Sequence, residues 1–403
     1  MLNYGFLEPV RMKVPQRYCI SQKGRKPFVF FMVCHLGLAF LFLVSCRSGT
    51  NTSLVLPTLM ATAVVINPES AHPANIPLPV TYTPVGKAPV VPVMAVTPAP
   101  ATAVPLEPAA TPGSTSAAND PYAGWTIADL QNRKPQTGSL DTHELLTTGP
   151  NFTRHLISYP SDDLTIYGFM NTPPGNNLPV VLVLHGFVEP EEYQVEAYTM
   201  PYADELAKDG FLVIHPNYRN YPPSDTGENL FRAGYAIDVL NLIDIVKHQA
   251  GQPGPLQNAD PNRIYLFGHS MGGGIALRVL TVSNEIDAAA LYGSMSGDEK
   301  RNFERIIIWS QGASGYEELA TAPEDLQRIS PIFHLNNISA PVSIHHGTED
   351  GIVPPEWSYQ LCAQLRELGK EVSCYRYPHE PHNFTLAGRK KLIARVSAFF
   401  LEN

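Results

Sequence analysis

Residues 263–274 read RIYLFGHSMGGG, and the turn Gly268-His269-Ser270-Met271-Gly272 inside this stretch decides what the chain can fold into. The apolar residues before the turn predict a strand over residues 263–267, and a helix is predicted over residues 272–282. A serine in so sharp a turn needs glycines two positions before and two after it, because side chains there would collide. The spacing predicts a strained strand–turn–helix unit that lifts the Ser270 hydroxyl above the strand end. The alternative is an ordinary glycine-rich turn.

Short apolar runs and longer amphipathic runs alternate along residues 119–403. The continuous apolar runs at 180–184 and 211–214 are typical of parallel strands buried on both faces. The alternation predicts an α/β domain with a mostly parallel, eight-stranded sheet, helices on both faces, and an antiparallel edge made by the first two strands. Strands are predicted at residues 152–159, 164–171, 179–184, 211–215, 263–267, 288–291, 341–345 and 372–377. Helices are predicted at residues 195–208, 230–249, 272–282, 355–368 and 386–401, and a small helical cap at about 294–340.

A serine hydroxyl is a weak nucleophile at neutral pH, so Ser270 needs a histidine base and a carboxylate that orients the base. Both are expected on loops after later strands. Asp350 and Glu349 compete for the carboxylate, and Asp350 is favoured because a glycine follows it and lets the loop turn back. His379 and His382 compete for the base, and His382 is favoured because it lies further from its strand and has more reach.

Backbone N–H groups beside Ser270 are expected to stabilise a negatively charged substrate oxygen. The N–H of Met271 opens the predicted helix, and the N–H of Phe187 lies in the loop directly after residues 179–184. The helix terminus adds its dipole to this effect. The predicted oxyanion hole is therefore Met271 and Phe187, with His185 as a residue that fixes the loop.

Residues 188–202, next to this loop, hold four glutamates and three tyrosines. They form either an acidic, aromatic rim for substrates with a cationic end or a solvated face with packing tyrosines. Tyr193 in this segment and Trp309 in the predicted cap are expected to contact substrate.

The start of the chain has the pattern of a secretory signal, in which basic residues precede the apolar residues 28–44. Its ending, Leu43-Val44-Ser45-Cys46, resembles the lipobox of bacterial lipoproteins. The resemblance implies a signal peptide over residues 1–45 and a lipid on Cys46. A plain membrane-spanning anchor is the alternative, and both place the rest of the chain outside the cytoplasm at a membrane. Residues 46–118 are predicted to be a disordered stalk, because 13 prolines between 47 and 118 prevent regular structure.

The chain carries 28 basic and 37 acidic side chains, a formal net charge of −9. Six of the basic side chains and one acid lie in residues 1–45, so residues 46–403 carry −14. Such a body repels phosphate backbones, which argues against nucleic-acid partners. The five cysteines form no Cys-x-x-Cys pair, and no metal or other cofactor is expected. Cys362 and Cys374 are either bridged in an oxidising envelope or packed as free thiols.

Residues from about 150 to 403 resemble the α/β-hydrolase superfamily. Within it they look most like the prolyl oligopeptidase catalytic domain and its acylaminoacyl-peptidase and dienelactone-hydrolase relatives. The matching pieces are Asn217-Tyr218-Arg219, residues 232–239, residues 268–272, Ser330-Pro331-Ile332, residues 346–350 and His382-Asn383-Phe384. The resemblance implies an α/β-hydrolase fold, a triad of Ser270, Asp350 and His382, and a substrate contact at Tyr218. It also demotes His379, which falls where relatives often have glycine.

The expected function is that of a serine hydrolase that cleaves peptide, amide or ester bonds in a small substrate through an acyl-enzyme. The resemblance favours a prolyl-oligopeptidase-like peptidase. A carboxylic ester hydrolase is the alternative, because the 72 proline-rich residues 47–118 cannot build the β-propeller of prolyl oligopeptidases. A non-catalytic surface binding module is the alternative from another class.

Overall fold

In the described part of the chain, nine strands form one sheet. The computed structural model describes residues 120–403, so the predicted signal segment, the stalk and Cys46 lie outside the described residues. The strands are β1 Asp141–Thr148, β2 Thr153–Ser161, β3 Leu164–Thr172, β4 Leu178–Leu184, β5 Leu212–Pro216, β6 Ala259–His269, β7 Ala288–Tyr292, β8 Val342–Gly347 and β9 Val372–Tyr377. Their order is β1-β2-β3-β5-β4-β6-β7-β8-β9, antiparallel from β1 to β5 and parallel from β5 to β9.

Helices cover both faces of the sheet. The α-helices are α1 Ile127–Gln131, α2 Met200–Lys208, α3 Ala233–Gln249, α4 Met271–Val282, α5 Glu299–Trp309, α6 Tyr316–Leu319, α7 Pro323–Ile329, α8 Pro355–Glu367 and α9 Leu386–Glu402. Short 3₁₀ helices lie at Pro190–Glu192, Leu230–Arg232 and Pro331–Asn337. Of the helices just given, none is both long enough and apolar enough to cross a membrane.

The central strand β4 is buried along its whole length. Successive side chains of a strand point to opposite faces. Val180 and Leu182 pack in one apolar cluster with residues of α3, α4 and α8, whereas Val181 and Val183 pack in a second cluster with residues of α2 and α9. This two-sided burial is the reason that the continuous apolar run predicts a central strand.

The expected α/β fold is confirmed, but the sheet has one strand more than the eight predicted. The additional strand, β1, lies at the edge and is mostly exposed. Because it buries no apolar face, its sequence DTHELLTT lacks the period-two pattern by which half-buried strands are found. The antiparallel end of the sheet therefore contains β1, β2 and β3 rather than two strands.

The helix predicted over residues 195–208 begins later, at Met200. Tyr198 has a φ of +49°, which a right-handed helix does not contain. The next residue, Thr199, is buried, and its Oγ1 lies 2.6 Å from Nε2 of His215. A tertiary contact, and not helix propensity, thus sets the start of α2. Residues 294–340, the expected cap, contain α5, α6, α7 and the turn Pro331–Asn337.

A buried ion pair joins α4 to α5. Arg278 of α4 is buried and donates to the carboxylate of Glu299, in the first turn of α5. Arg278 also donates to the carbonyls of Ile329 at 2.6 Å and Phe231 at 3.1 Å. Arg232 donates to the second oxygen of Glu299. Removing one partner of such a pair leaves the other as a buried, uncompensated charge.

We expect Glu299→Ala to lower the free energy of unfolding by about 3–5 kcal/mol, because Arg278 would then remain charged and without its carboxylate. Urea denaturation followed by circular dichroism measures the effect. Glu304→Ala is the matched control, since Glu304 is an exposed residue of the same helix; its effect should stay within about 0.5 kcal/mol. Equal losses in the two variants would contradict a stabilising role for the ion pair.

Candidate active site

Ser270 lies in the turn between β6 and α4, with a φ of +56° and a ψ of −116°. A Cβ added at Gly272 would lie 2.1 Å from the carbonyl oxygen of Leu184, and one added at Gly268 would lie 2.4 Å from the carbonyl oxygen of Gly272. Only glycine fits at both positions, so the glycine spacing that predicts this turn has a direct steric cause. The turn presents Ser270 at the carboxyl ends of the parallel strands.

Two histidine–carboxylate pairs lie on the loops that follow β8 and β9. Nδ1 of His382 lies 2.7 Å from Oδ2 of Asp350, and these side chains are 8% and 1% exposed. Nδ1 of His379 lies 2.8 Å from Oε1 of Glu349, and these side chains are 87% and 61% exposed. The four candidate residues thus form two separate pairs, one buried and one in solvent. The buried pair is the one that the sequence favours.

Each oxygen of the Asp350 carboxylate has two N–H donors. Oδ1 accepts the backbone N–H groups of Ile352 and Val353, both at 2.9 Å. Oδ2 faces His382 at 2.7 Å and Nε2 of His346 at 3.0 Å. Burial alone would raise the pKa of Asp350, but the hydrogen bonds from His346 and His382 outweigh it and hold this pKa well below its usual range. Asp350 is therefore a carboxylate at any pH near neutrality.

The Asp350 contact determines which nitrogen of His382 is available. A carboxylate accepts, so Nδ1 of His382 carries the proton and Nε2 is the free base. The loop is fixed by Tyr292 at the end of β7, whose hydroxyl donates to the His382 carbonyl at 2.6 Å and accepts the N–H of Phe384 at 2.8 Å. Sequence reasoning missed Tyr292, because a tyrosine at the end of an apolar strand is indistinguishable from a packing residue.

The turn at Ser270 contacts the loop after β9 through His269, whose ring centroid lies 4.7 Å from that of His382. Within residues 120–403, the hydrogen bonds of His382 do not include the Ser270 hydroxyl. In free enzymes such a contact often forms only in the complex with substrate. The three predicted catalytic residues therefore lie in turns and loops at the carboxyl ends of the parallel strands. The contact between Asp350 and His382 is already made.

The loop after β4 lies directly against Ser270. A Cβ added at Gly186 would lie 3.0 Å from Cβ of Ser270 and 2.8 Å from the hydroxyl oxygen of Tyr198. Phe187, whose N–H is predicted to hold the oxyanion, presents its side chain to solvent with 58% exposed. His185 is fully buried, and burial lowers its pKa to about 4, so it is a neutral residue that fixes the loop.

The tyrosines predicted to contact substrate instead pack around His185. The ring of Tyr218 stacks on His185 at 4.4 Å and on Tyr235 at 5.2 Å, and Tyr218 is fully buried. It has no surface to offer a substrate, because it fills the core beneath the loop. Tyr193 is partly buried beside His185 and donates its hydroxyl to Oδ1 of Asn217 at 2.9 Å. Trp309 is partly buried against the same core cluster.

The helix α5 borders the carboxylate loop. Arg305 donates to the carbonyls of Gly351 at 3.1 Å and Ile352 at 3.2 Å. Ile352 lies in this loop, and Ile308 lies one turn beyond Arg305 on α5. Both side chains are largely exposed. Two exposed isoleucines and one arginine thus lie beside the loop of Asp350. Within residues 120–403, no group of three or more His, Cys, Asp or Glu side chains is arranged to hold a metal ion.

Part of the chain is similar to known proteins. The sequence profile of the prolyl oligopeptidase family matches residues 238–403, which is less than half of the chain. The chain is similar to the uncharacterized peptidase YuxL of Bacillus subtilis (strain 168), with 26% identity over 287 residues that cover 65% of this chain and 42% of YuxL. It is also similar to the uncharacterized peptidase YtmA of the same organism, with 25% identity over 201 residues, 48% of this chain and 73% of YtmA.

Similarity extends to proteins named for lipid and ester hydrolysis. The lysophosphatidylserine lipase ABHD12 of Danio rerio is 24% identical over 276 residues, 61% of this chain and 67% of that protein. The structure of acetyl xylan esterase from Paenibacillus sp. R4 aligns with a TM-score of 0.51 and 17% identity, over 68% of this chain and 91% of that one, which shows a shared fold. The chain spans less than half the length of YuxL, and what the comparisons show is an α/β-hydrolase fold whose residues 238–403 match the prolyl oligopeptidase family.

Proposed function

We propose that the protein is a serine-type peptidase of the prolyl oligopeptidase family that acts on short peptides through Ser270, Asp350 and His382. The observation that carries the proposal is the buried contact of 2.7 Å between Asp350 and His382. It lies at the carboxyl ends of the parallel strands, where the strained turn also presents Ser270. A buried carboxylate holds an imidazole in one tautomer and stabilises the imidazolium that forms during acyl transfer. The exposed pair, His379 and Glu349, lacks the burial that supports such a role.

In this mechanism, Nε2 of His382 accepts the proton of the Ser270 hydroxyl while Oγ bonds to the substrate carbonyl carbon. The carbonyl oxygen becomes an oxyanion, which the N–H groups of Met271 and Phe187 hold. His382 then gives its proton to the departing amine, and the acyl group remains on Ser270. A water molecule repeats the sequence: His382 takes its proton, the hydroxide adds to the acyl carbon, and Ser270 leaves with the proton restored.

The choice of peptidase over esterase rests on the matched family and on the two relatives that carry peptidase names. A carboxylic ester hydrolase is the second candidate. All nine strands of residues 120–403 belong to a single sheet, so this part of the chain contains no β-propeller that would restrict access by size.

Ser270→Ala should lower hydrolysis of p-nitrophenyl acetate by at least about a thousandfold, because no other group supplies the acyl acceptor. Circular dichroism of the variant should be unchanged. A fluorophosphonate probe should label the wild-type protein and not the variant. If the wild-type protein is not labelled and does not hydrolyse the ester, the non-catalytic binding module becomes the better explanation.

The two histidines make a matched test of the base. His382→Ala should lower kcat/KM by at least about a thousandfold, whereas His379→Ala should stay within about twofold of the wild type, since an exposed ion pair contributes little. Both rates are measured on the same ester at pH 8. The reverse order of effects would transfer the base to His379 and its carboxylate to Glu349.

The substrate class is tested with aminoacyl-naphthylamides and short p-nitrophenyl esters at matched concentrations. We expect both to be turned over, because an amide-cleaving serine hydrolase also cleaves the more reactive ester bond. Ser270→Ala is the control for background hydrolysis. Turnover of esters without measurable turnover of any naphthylamide would favour the esterase over the peptidase.

A further inference from the structure

Asp350 has a second histidine on the oxygen that contacts His382. His346 lies on β8, four residues before Asp350, and its side chain is 1% exposed. Its Nε2 is 3.0 Å from Oδ2 of Asp350, and Nδ1 of His382 is 2.7 Å from the same atom. One carboxylate oxygen thus binds an imidazole on each side.

The surroundings of His346 place a proton on its Nε2. Nε2 also faces the carbonyl oxygen of Val353 at 3.2 Å, so both of its neighbours are acceptors and Nε2 must carry the proton. Nδ1 lies 2.6 Å from the hydroxyl of Ser358, a buried residue of α8, and that hydroxyl is able to donate to the bare nitrogen. Every polar atom of the imidazole is satisfied in this arrangement.

We propose that His346, held by Ser358, is a positioning residue for the triad: it donates a hydrogen bond to Asp350 and so limits how strongly Asp350 holds the proton of His382. The inference rests on the proposed function, because it requires Asp350 and His382 to act as acid and base. His346 touches neither substrate nor Ser270, and it acts only through the Asp350 carboxylate.

The direction of the effect follows from electrostatics. A donor at Oδ2 withdraws negative charge from the side of the carboxylate that faces His382. Without that donor, the carboxylate attracts the imidazolium more strongly, so His382 keeps its second proton to higher pH. A protonated His382 cannot accept the serine proton, so activity falls at low pH. The midpoint of this fall, the acid limb of the pH–activity profile, must therefore move to higher pH.

Other charged or titratable groups also face this network. Arg305 donates to the loop of Asp350, and Tyr292 donates to the His382 carbonyl. Burial raises the pKa of Tyr198, and the nearby Asp350 carboxylate raises it further. His269 lies beside His382, and burial lowers the pKa of His269 well below its usual range, so it stays neutral. Arg366 and Arg376 border a cavity of about 330 Å³ that His346 and Ser358 also line. The disulfide between Cys362 and Cys374 lines the same cavity and ties α8 to β9, which keeps Ser358 in place.

The test compares two replacements of His346. Leucine fills similar space without a donor, whereas glutamine keeps an amide N–H near the position of Nε2 and serves as the matched control. In His346→Leu, the midpoint of the acid limb of kcat/KM for p-nitrophenyl acetate should move to a higher pH by about one unit. At pH values below this midpoint, kcat/KM should be lower than that of the wild type by about tenfold. In His346→Gln, the limb should stay within about 0.3 units of the wild type.

Thermal melting separates this role from simple packing. A lower melting temperature of His346→Leu with an unmoved acid limb would overturn the proposal, as would equal limb shifts in the leucine and glutamine variants. If His346→Leu does not fold, Ser358→Ala decides the matter: loss of its hydroxyl leaves Nδ1 of His346 without its partner and loosens the ring against Asp350, so the limb should move in the same direction by a smaller amount. An unchanged limb in Ser358→Ala would then overturn it.

Ser270→Ala distinguishes a failure of this inference from a failure of the proposed function. If Ser270→Ala remains active, the triad assignment is wrong and the role of His346 falls with it. If Ser270→Ala is inactive and the acid limb does not move in His346→Leu, only the positioning role is wrong.

Discussion

The turn at Ser270 depends on a backbone conformation that side chains disfavour and that the neighbouring strand holds in place. A non-glycine residue at positive φ costs about 1–3 kcal/mol. The Ser270 amide donates to the carbonyl of Tyr292 at 3.0 Å, and its carbonyl accepts the N–H of Met295 at 3.0 Å. Gly272 packs against the carbonyl of Leu184 on the other side. The serine is thus clamped between the ends of β4 and β7, and the loops of the candidate site assemble around it.

Burial, more than distance, distinguishes the two histidine–carboxylate pairs. The contacts of Asp350 with His382 and of Glu349 with His379 differ by only 0.1 Å in length, 2.7 against 2.8 Å. Water screens the exposed pair and competes for its hydrogen bonds, so that pair contributes little to either stability or orientation. The buried pair lies in a region of low dielectric where four N–H groups already point at the carboxylate. A fixed, charged acid is what an imidazole base requires.

The loop that faces Ser270 packs on a cluster of aromatic rings. His185 is surrounded by the rings of Tyr193, Tyr218 and Tyr221 at 4.4–5.0 Å. Burial of these rings stabilises the loop through apolar contact, and the neutral imidazole fits among them without the cost of a buried charge. A tyrosine directly after a strand has the same sequence signature whether it packs below the loop or faces a ligand. The resemblance therefore predicts a substrate contact at Tyr218, but the fold buries this residue.

Local patterns along the chain predict the α/β order of elements, the serine turn and the loops that hold Asp350 and His382, because glycine spacing and continuous apolar runs have steric and solvation causes. Tertiary folding brought Asp350 and His382 into one buried pair, set the start of α2, added an exposed strand to the sheet and joined Arg278 to Glu299. It also brought His346 onto Asp350, through a loop that returns to its own strand. These features depend on which distant surfaces meet and exclude water. That exclusion is a property of the assembled fold, and no short stretch of residues encodes it.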